Sequence, residues 1–433
     1  MVSDPGKLVL PSAGLLLVAA LGVGAVFLFS AGPTCAPEGA DLLYADAYPG
    51  IGYSSSCPSG RLGQLAERVS EGSAGLQFHP QRGYLDAVLE ELDIDASSQT
   101  LVFSRTSLQV GRIFPETPRA IYFNDESYVA WIPGSPSLEF ASFDPELGPV
   151  FYTVEQSAQV APAMQRQLRT CLRCHDSYSL TGGGVPRFLL GSGYTGTIGE
   201  LVSHEAWILT SQATPLRSRW GGWYVTGQHG DAGHLGNMVV QRAEDLQELD
   251  ALRIANIDEL SGFFDTSNYL TPLSDIVALM VLEHQVEVQN LISRLRFETL
   301  GSATAVPPEN LDTHVEALVR AMLMIDEIAL TAAIEGGSGF TEHFETLGPF
   351  DSERRSLREF DLNSRVFRYP LSYLIYSSAF QALPPVAKDA VYQRIGEVLA
   401  ASPEQDGFSR LTVTDRTSIA EILAETLPEF PEI

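Results

Sequence analysis

Hydrophobic and polar positions follow distinct rhythms in successive parts of this chain. Near the N-terminus there is no alternation at all: every position from Ser12 to Ala31 is apolar or small, a run long enough to cross a bilayer as a helix. From Leu62 to Val88 the spacing turns helical in two broken pieces. They end in the acidic run Glu90-Glu91-Leu92-Asp93, which reads as a solvated helix end. Beyond Ser97 the period becomes two. Thr100 to Phe103, Ala120 to Phe123, Tyr128 to Ile132, Leu138 to Phe143 and Val150 to Val154 are short β-branched or aromatic runs, set apart by turn pairs such as Asn124-Asp125 and Pro133-Gly134. They predict an antiparallel meander with its aromatics (Tyr122, Phe123, Tyr128, Trp131, Phe140, Phe143, Phe151, Tyr152) in the core.

After about Asp245 the period becomes helical. Ser274 to Leu300 carries Val277, Met280, Val281, Val288, Leu291, Ile292 and Leu295 on one stripe, with Ser274-Asp275 as its start. Asn310 to Ile334 predicts a second long helix, and Pro370 to Ala382, Pro385 to Ala400 and Asp415 to Thr426 three more. Pro162 opens a further short helix, Ala163 to Asp176. The expected fold class is α+β. A transmembrane or signal helix occupies residues 1–34, a β-rich N-terminal portion 35–160, a central segment 161–245 and a mainly α-helical C-terminal half 246–433.

Charge narrows the partners. The formal net charge is -27 and the sequence pI about 4.6, which excludes nucleic acid, because phosphate binding needs a basic stripe. The acidic excess keeps a soluble surface repulsive or faces a basic redox partner. Lys7 is the only basic residue before the apolar run, Ser30-Ala31-Gly32 is a mediocre cleavage site, and Gly32-Pro33-Thr34-Cys35 is a poor lipoprotein box. An uncleaved anchor, a cleaved signal and a lipid anchor all put the body of the chain in the periplasm or beyond. In that oxidising compartment Cys35 and Cys57 can pair.

The two remaining cysteines lie in Cys171-Leu172-Arg173-Cys174-His175. Thiols at this spacing with an adjacent imidazole read as a covalent haem attachment site, where the thiols add to the vinyl groups and the histidine reaches the iron. A zinc site needs a second ligand pair, and the chain has no other C-x-x-C and no H-x-x-x-H. A redox dithiol should sit between a strand and a helix in a βαβ unit, and the segment before Cys171 does not read as a strand. The motif resembles that of c-type cytochromes. This likeness implies one covalent haem c, thioethers at Cys171 and Cys174, and His175 as proximal iron ligand. Gly182-Gly183-Gly184-Val185-Pro186 falls where many small members have a glycine and proline loop, which implies that the Pro186 carbonyl accepts the N–H of His175. Pro118 to Asp125, Arg219 to Gly230 and Tyr369 to Phe380 also look similar to large exported single-haem bacterial proteins, a likeness that assigns no chemistry.

The far side of the iron decides between carrier and catalyst, since a strong sixth ligand favours electron transfer and an open site permits peroxide or oxygen chemistry. The stretch Arg219 to Met238 runs from an aromatic strand into a glycine-rich loop. His229, His234 and Met238 are its distal candidates, with His284 on the apolar stripe as runner-up; each also has an ordinary packing role open to it. Arg187, Arg217 and Arg219 suit haem propionates by guanidinium geometry. The resulting expectation is a membrane-anchored periplasmic monohaem electron carrier with a redox partner protein. The alternatives are a c-haem oxidoreductase, peroxidase-like or oxygen-using, and a haem-dependent sensor or scaffold. Catalytic residues and oligomeric state are not readable.

Overall fold

In a computed structural model the described residues are 44–202, 207–240, 254–301, 310–402 and 407–431. The apolar run Ser12 to Ala31 and Cys35 lie outside them. The described residues all belong to one compact unit of the chain, Cys35–Ile433. Among the described residues no helix is long and apolar enough to cross a membrane.

The period-two runs form strands. β1 (Thr100–Val102), β2 (Arg119–Phe123), β3 (Ser127–Trp131), β4 (Ser137–Asp144) and β5 (Gly148–Glu155) build an antiparallel meander. β6 (Met164–Arg166) extends one edge and β9 (Trp223–Tyr224) the other, giving the order β6-β5-β4-β3-β2-β1-β9. Between them in sequence, β7 (Gly191–Ser192) and β8 (Ile208–Leu209) form a separate ribbon. β6 replaces the first part of the helix expected from Ala163 to Asp176. Its residues pair with Tyr152, Thr153 and Val154, and the Arg166 guanidinium donates to the carbonyls of Ser56 and Tyr53 at 2.6 and 2.7 Å. An open sheet edge offers backbone partners that override a weak helical preference.

The two sheet faces differ. Ala120, Tyr122, Val129, Trp131, Leu138, Phe140, Tyr152 and Val154 share one face by register and are all buried. Helices α1 (Arg61–Ser70) and α2 (Leu85–Leu92) pack on β4 and β3. On the opposite face Phe123, Tyr128, Phe143 and Phe151 are buried, while Arg119, Ile121, Ala130, Glu139 and Ala141 stay partly exposed. That face is covered at one end and half open at the other.

The central segment contributes two single-turn helices, α3 (Leu172–His175) and α4 (Tyr178–Thr181). α5 (Ile276–Gly301) then runs through the middle of the molecule, with 18 of its 26 residues buried. Asp275 starts it by accepting the N–H groups of Val277 and Ala278 at 2.8 and 3.1 Å. The stripe read from the sequence is therefore part of a surface buried nearly all round, in which apolar residues alternate with Glu283, His284, Gln285, Gln289, Asn290 and Ser293. The polar residues on it act as connectors: Gln289 meets the Tyr128 hydroxyl and Asn290 the backbone of Phe188.

The second expected long helix is shorter than its periodicity. α6 (Leu311–Met322) stops before Met324, whose φ of 54° is left-handed. The chain beyond it pairs elsewhere, Leu330 N–H with the Ser364 carbonyl and Ile334 N–H with that of Leu362. α7 (Phe340–Glu345) follows. Pro370 to Ala382 contains only a 3-10 turn, Tyr373–Tyr376, and α8 (Ser378–Gln381). α9 (Pro385–Ala400) and α10 (Val413–Thr426) complete the chain. Cys57 is disulfide-bonded, whereas Cys171 and Cys174 are free thiols.

Candidate haem centre

The Cys171–His175 motif is fixed at both ends by its own residues. Leu168 and Leu172, each 3% exposed, anchor its start in the core. Beyond His175, the Asp176 carboxylate turns inward and accepts the Ala45 N–H at 3.0 Å. The chain then reverses through Gly182, Gly183 and Gly184, with φ of 74°, 118° and 70°, a region that disfavours every residue with a Cβ. A Cβ at Gly184 would also come within 3.1 Å of the Tyr44 carbonyl oxygen.

This reversal returns the backbone to the histidine. Arg187 N–H donates to the His175 carbonyl at 2.8 Å, and His175 Nδ1 lies 2.6 Å from the Arg187 carbonyl. A carbonyl only accepts, so Nδ1 carries the proton and the lone pair sits on Nε2. Nε2 has no hydrogen-bond partner among the described residues. The acceptor is one residue beyond Pro186, because the glycine turn aims the carbonyl of Arg187, and not that of Pro186, at the ring. Burial lowers the His175 pKa to about 4, with Arg119 adding to the effect and the Arg187 carbonyl opposing it. The imidazole is thus neutral at physiological pH, in the tautomer that a metal ligand requires.

His175 faces the half-open end of the sheet. Its ring lies 4.5 Å from that of Phe151 on β5, and Phe188 packs against Phe151, Phe143 and Tyr128. Arg119 acts on His175 and Glu139 on Cys171, and those two side chains are themselves paired at 3.3 Å. The motif and the exposed end of the sheet therefore share one neighbourhood. The small side chains Ala130 and Ala141 and the flat flank of Ile121 line that face. A cleft of about 490 Å³, lined by Gln109, Gly111, Arg112 and Pro136, adjoins it; the Gln109 amide donates to Glu139 Oε1 at 3.0 Å.

The thiols differ in setting. Cys174 is exposed and Cys171 half-buried, and burial, with Glu139 and Cys174 adding, pushes the Cys171 thiol up to about 12. Arg187 forms no ion pair among the described residues, and its Nε is buried without a partner. Arg219 is fully engaged, with Thr214 O, Glu283 and Gln212 O at 2.7, 2.8 and 2.8 Å. Arg217 is exposed. Of the three arginines suited to a carboxylate by sequence, Arg187 is the one beside the motif with hydrogen-bonding capacity to spare.

The distal candidates lie in other surroundings. His229 and His234 are each 1% exposed, with ring centroids 4.7 Å apart. Their loop follows β9, on the sheet edge opposite β6, and Thr226 bonds the first residue of α5. Phe188 meets α5 at Asn290, fourteen residues further along, or about 21 Å at 1.5 Å per residue. His229 Nε2 donates to the Ala255 carbonyl at 3.2 Å; His234 Nδ1 accepts the Gly236 N–H at 2.9 Å, which leaves the proton on Nε2. His284 engages Gln212 through Nδ1 and Ser372 through Nε2, at 2.9 and 2.8 Å. Met238 is 2% exposed. No hydrogen bond or ring contact among the described residues joins His175 to any of the four.

Sequence reasoning counted Phe151 among the core aromatics, where it is, and missed the Arg119–Glu139 pair and Asn290. Asn290 accepts the Phe188 N–H at 2.9 Å and donates to its carbonyl at 3.0 Å. The available signal was its polarity inside an apolar helix. Among the described residues no group of three or more His, Cys, Asp or Glu side chains is arranged to hold a metal ion. Comparison with protein-family models, curated proteins and solved structures gives no match for this chain.

Proposed function

We propose that the chain is an exported monohaem c-type protein that transfers single electrons, with its apolar N-terminal run as membrane anchor or signal. The observation that carries this reading is the reciprocal bonding of His175 and Arg187, which leaves a neutral imidazole with Nε2 unpartnered beside two free thiols. The residues fit the group. Cys171 and Cys174 would hold the haem through thioethers, His175 through iron, and Arg187 would meet a propionate. Bound haem supplies a one-electron iron couple.

The protein's part is orientation and exclusion of water. The Arg187 carbonyl holds the Nδ1 proton and so fixes the ring plane. Phe151 and Phe188 stiffen it from the core side. The half-open sheet face offers a partly exposed apolar surface of Ile121, Ala130 and Ala141 for a flat apolar group, with polar Glu139 and Arg119 at its margin.

A second reading, a c-haem oxidoreductase with an open iron position, is favoured by a specific observation. No hydrogen bond or ring contact among the described residues joins His175 to His229, His234, Met238 or His284, and the one unpartnered imidazole lone pair among them, on His229 Nδ1, lies in the loop after β9 on the sheet edge opposite β6. An electronic spectrum of the purified protein separates the two. A low-spin spectrum unchanged by cyanide supports the carrier; a high-spin ferric spectrum that shifts with cyanide supports the enzyme. Pyridine haemochrome absorption and haem staining of the denatured chain test the attachment itself. Both should disappear in the Cys171→Ala, Cys174→Ala double variant, and their persistence would sink the assignment.

A further inference from the structure

A charged pair stands on the half-open sheet face, among Ile121, Ala130 and Ala141. Arg119 on β2 and Glu139 on β4 meet at 3.3 Å, their side chains 14% and 15% exposed. They belong to strands that do not pair with each other. β3 runs between them, with Ala130 opposite Ile121 on one side and opposite Glu139 on the other. The methyl group of Ala130 is small enough for two long side chains to join over it. Apolar side chains of the same size would hold these strands together without the cost of taking two charges out of water. Cohesion of the sheet therefore does not account for the pair, and its position does.

The pair lies beside the Cys171–His175 motif. Phe151, whose ring is 4.5 Å from that of His175, is opposite Ala141 in the ladder, and Thr153 is opposite Glu139. Glu139 thus starts two residues along β4 from the position paired with Phe151, about 7 Å at the usual strand rise. The arrangement is asymmetric. Arg119 is the charge that acts on His175, and Glu139 the one that acts on Cys171. Glu139 is held by two donors, Arg119 and the Gln109 amide, at 3.3 and 3.0 Å. The Nε of Arg119 is buried with no partner. The pair is therefore a fixed dipole with its positive end toward the histidine and its negative end toward the first thiol.

Resting on the haem reading above, we infer that Arg119 and Glu139 set the reduction potential of the haem, Arg119 raising it and Glu139 opposing the rise. Reduction adds one electron, so the positive charge at the iron falls by one. A fixed cation beside the iron's histidine disfavours the oxidised form, and a fixed anion favours it. Because both side chains are largely buried, salt screens them less than it would a surface pair. Neither residue binds the metal; both act through the field at the iron.

Equilibrium titration of the haem-loaded protein against one-electron mediator dyes tests this, each electron gained by the haem being one lost by the dye. Arg119→Gln should shift the equilibrium toward ferric haem about tenfold, the order expected for one unit charge at about 10 Å and an effective dielectric constant of about 20. For one electron that is about 59 mV. Glu139→Gln should shift it the other way, toward ferrous haem. Arg119→Lys keeps the charge and loses the planar fork, and should stay within about twofold of the native protein. Opposite signs are the result that decides. A pair that only held the sheet together would, when broken from either side, loosen the pocket and admit water, and both neutral variants would then move toward ferric haem. Shifts of one sign, or none, overturn the proposal. Should Arg119→Gln fail to accumulate with haem, the nearly isosteric Glu139→Gln decides alone: a shift toward ferrous haem upholds the proposal and any other result overturns it. A protein purified without haem would remove the electron-transfer reading and this role with it, whereas haem-loaded variants with shifts of one sign would remove this role alone.

Discussion

A carbonyl oxygen has no proton to give, and this constrains His175 more than its burial does. The 2.6 Å contact with Arg187 fixes the proton on Nδ1, and desolvation holds the pKa near 4. In the Cys171→Ala, Cys174→Ala protein, long-range 15N–1H spectra should find the Nδ1–H tautomer and a titration midpoint near 4, below the ordinary value of about 6.5. A midpoint near 6.5, or the Nε2–H tautomer, would mean that the glycine reversal does not hold its carbonyl against the ring. The two cysteines and the histidine were legible as a cluster because five contiguous residues hold them together, and a single helical turn keeps them so. The hydrogen-bond acceptor was legible only to within one residue. Glycines announce that the chain can turn, but the direction of each carbonyl depends on the three left-handed φ values they adopt.

At the scale of elements, the strands were legible because alternation is a direct consequence of having one face buried at a time. The segment before the motif was not: Met164 to Arg166 follows the open edge of β5, a partner 12 residues away in the sequence for Thr153 and Gln165. The position of the histidine loop was not legible either, since nothing local says that β9 returns to pair with β1. α5 shows why its polar residues matter. Asn290 is 5% exposed and its amide closes both backbone groups of Phe188. Asn290→Leu leaves a buried N–H and C=O unsatisfied at about 1 to 3 kcal/mol for each group. The expected loss is about 2 to 6 kcal/mol in urea unfolding as Phe188 and then His175 loosen. An unchanged unfolding midpoint would show that Phe188 is held by ring packing alone.

For the whole molecule, buried ionisable groups of opposite kinds set the pH range of stability. His284 is neutral in the folded state, its pKa pushed down to about 3 by burial. The unfolded chain binds a proton at about 6.5, so the stability linked to this residue is complete above that pH and declines as pH falls toward 3. Glu327 is the mirror case. Burial raises it to about 7, against the pull of Arg410. Its contribution is complete below the unfolded value of about 4.5 and is lost as pH rises through 7. Glutamine at either position keeps hydrogen-bonding capacity without titrating, which separates the two effects within one fold. Between pH 7 and pH 5 the native protein should lose about 2 kcal/mol more than His284→Gln. Between pH 5 and pH 8 it should lose about 2 kcal/mol more than Glu327→Gln. Denaturant midpoints of the three proteins at these pH values are the measurement. Parallel pH profiles for all three would mean that both groups reach solvent in the native state. Profiles diverging in opposite directions would show that this acidic protein is limited at low pH by neutral buried histidines and at high pH by a carboxyl group that folding keeps protonated.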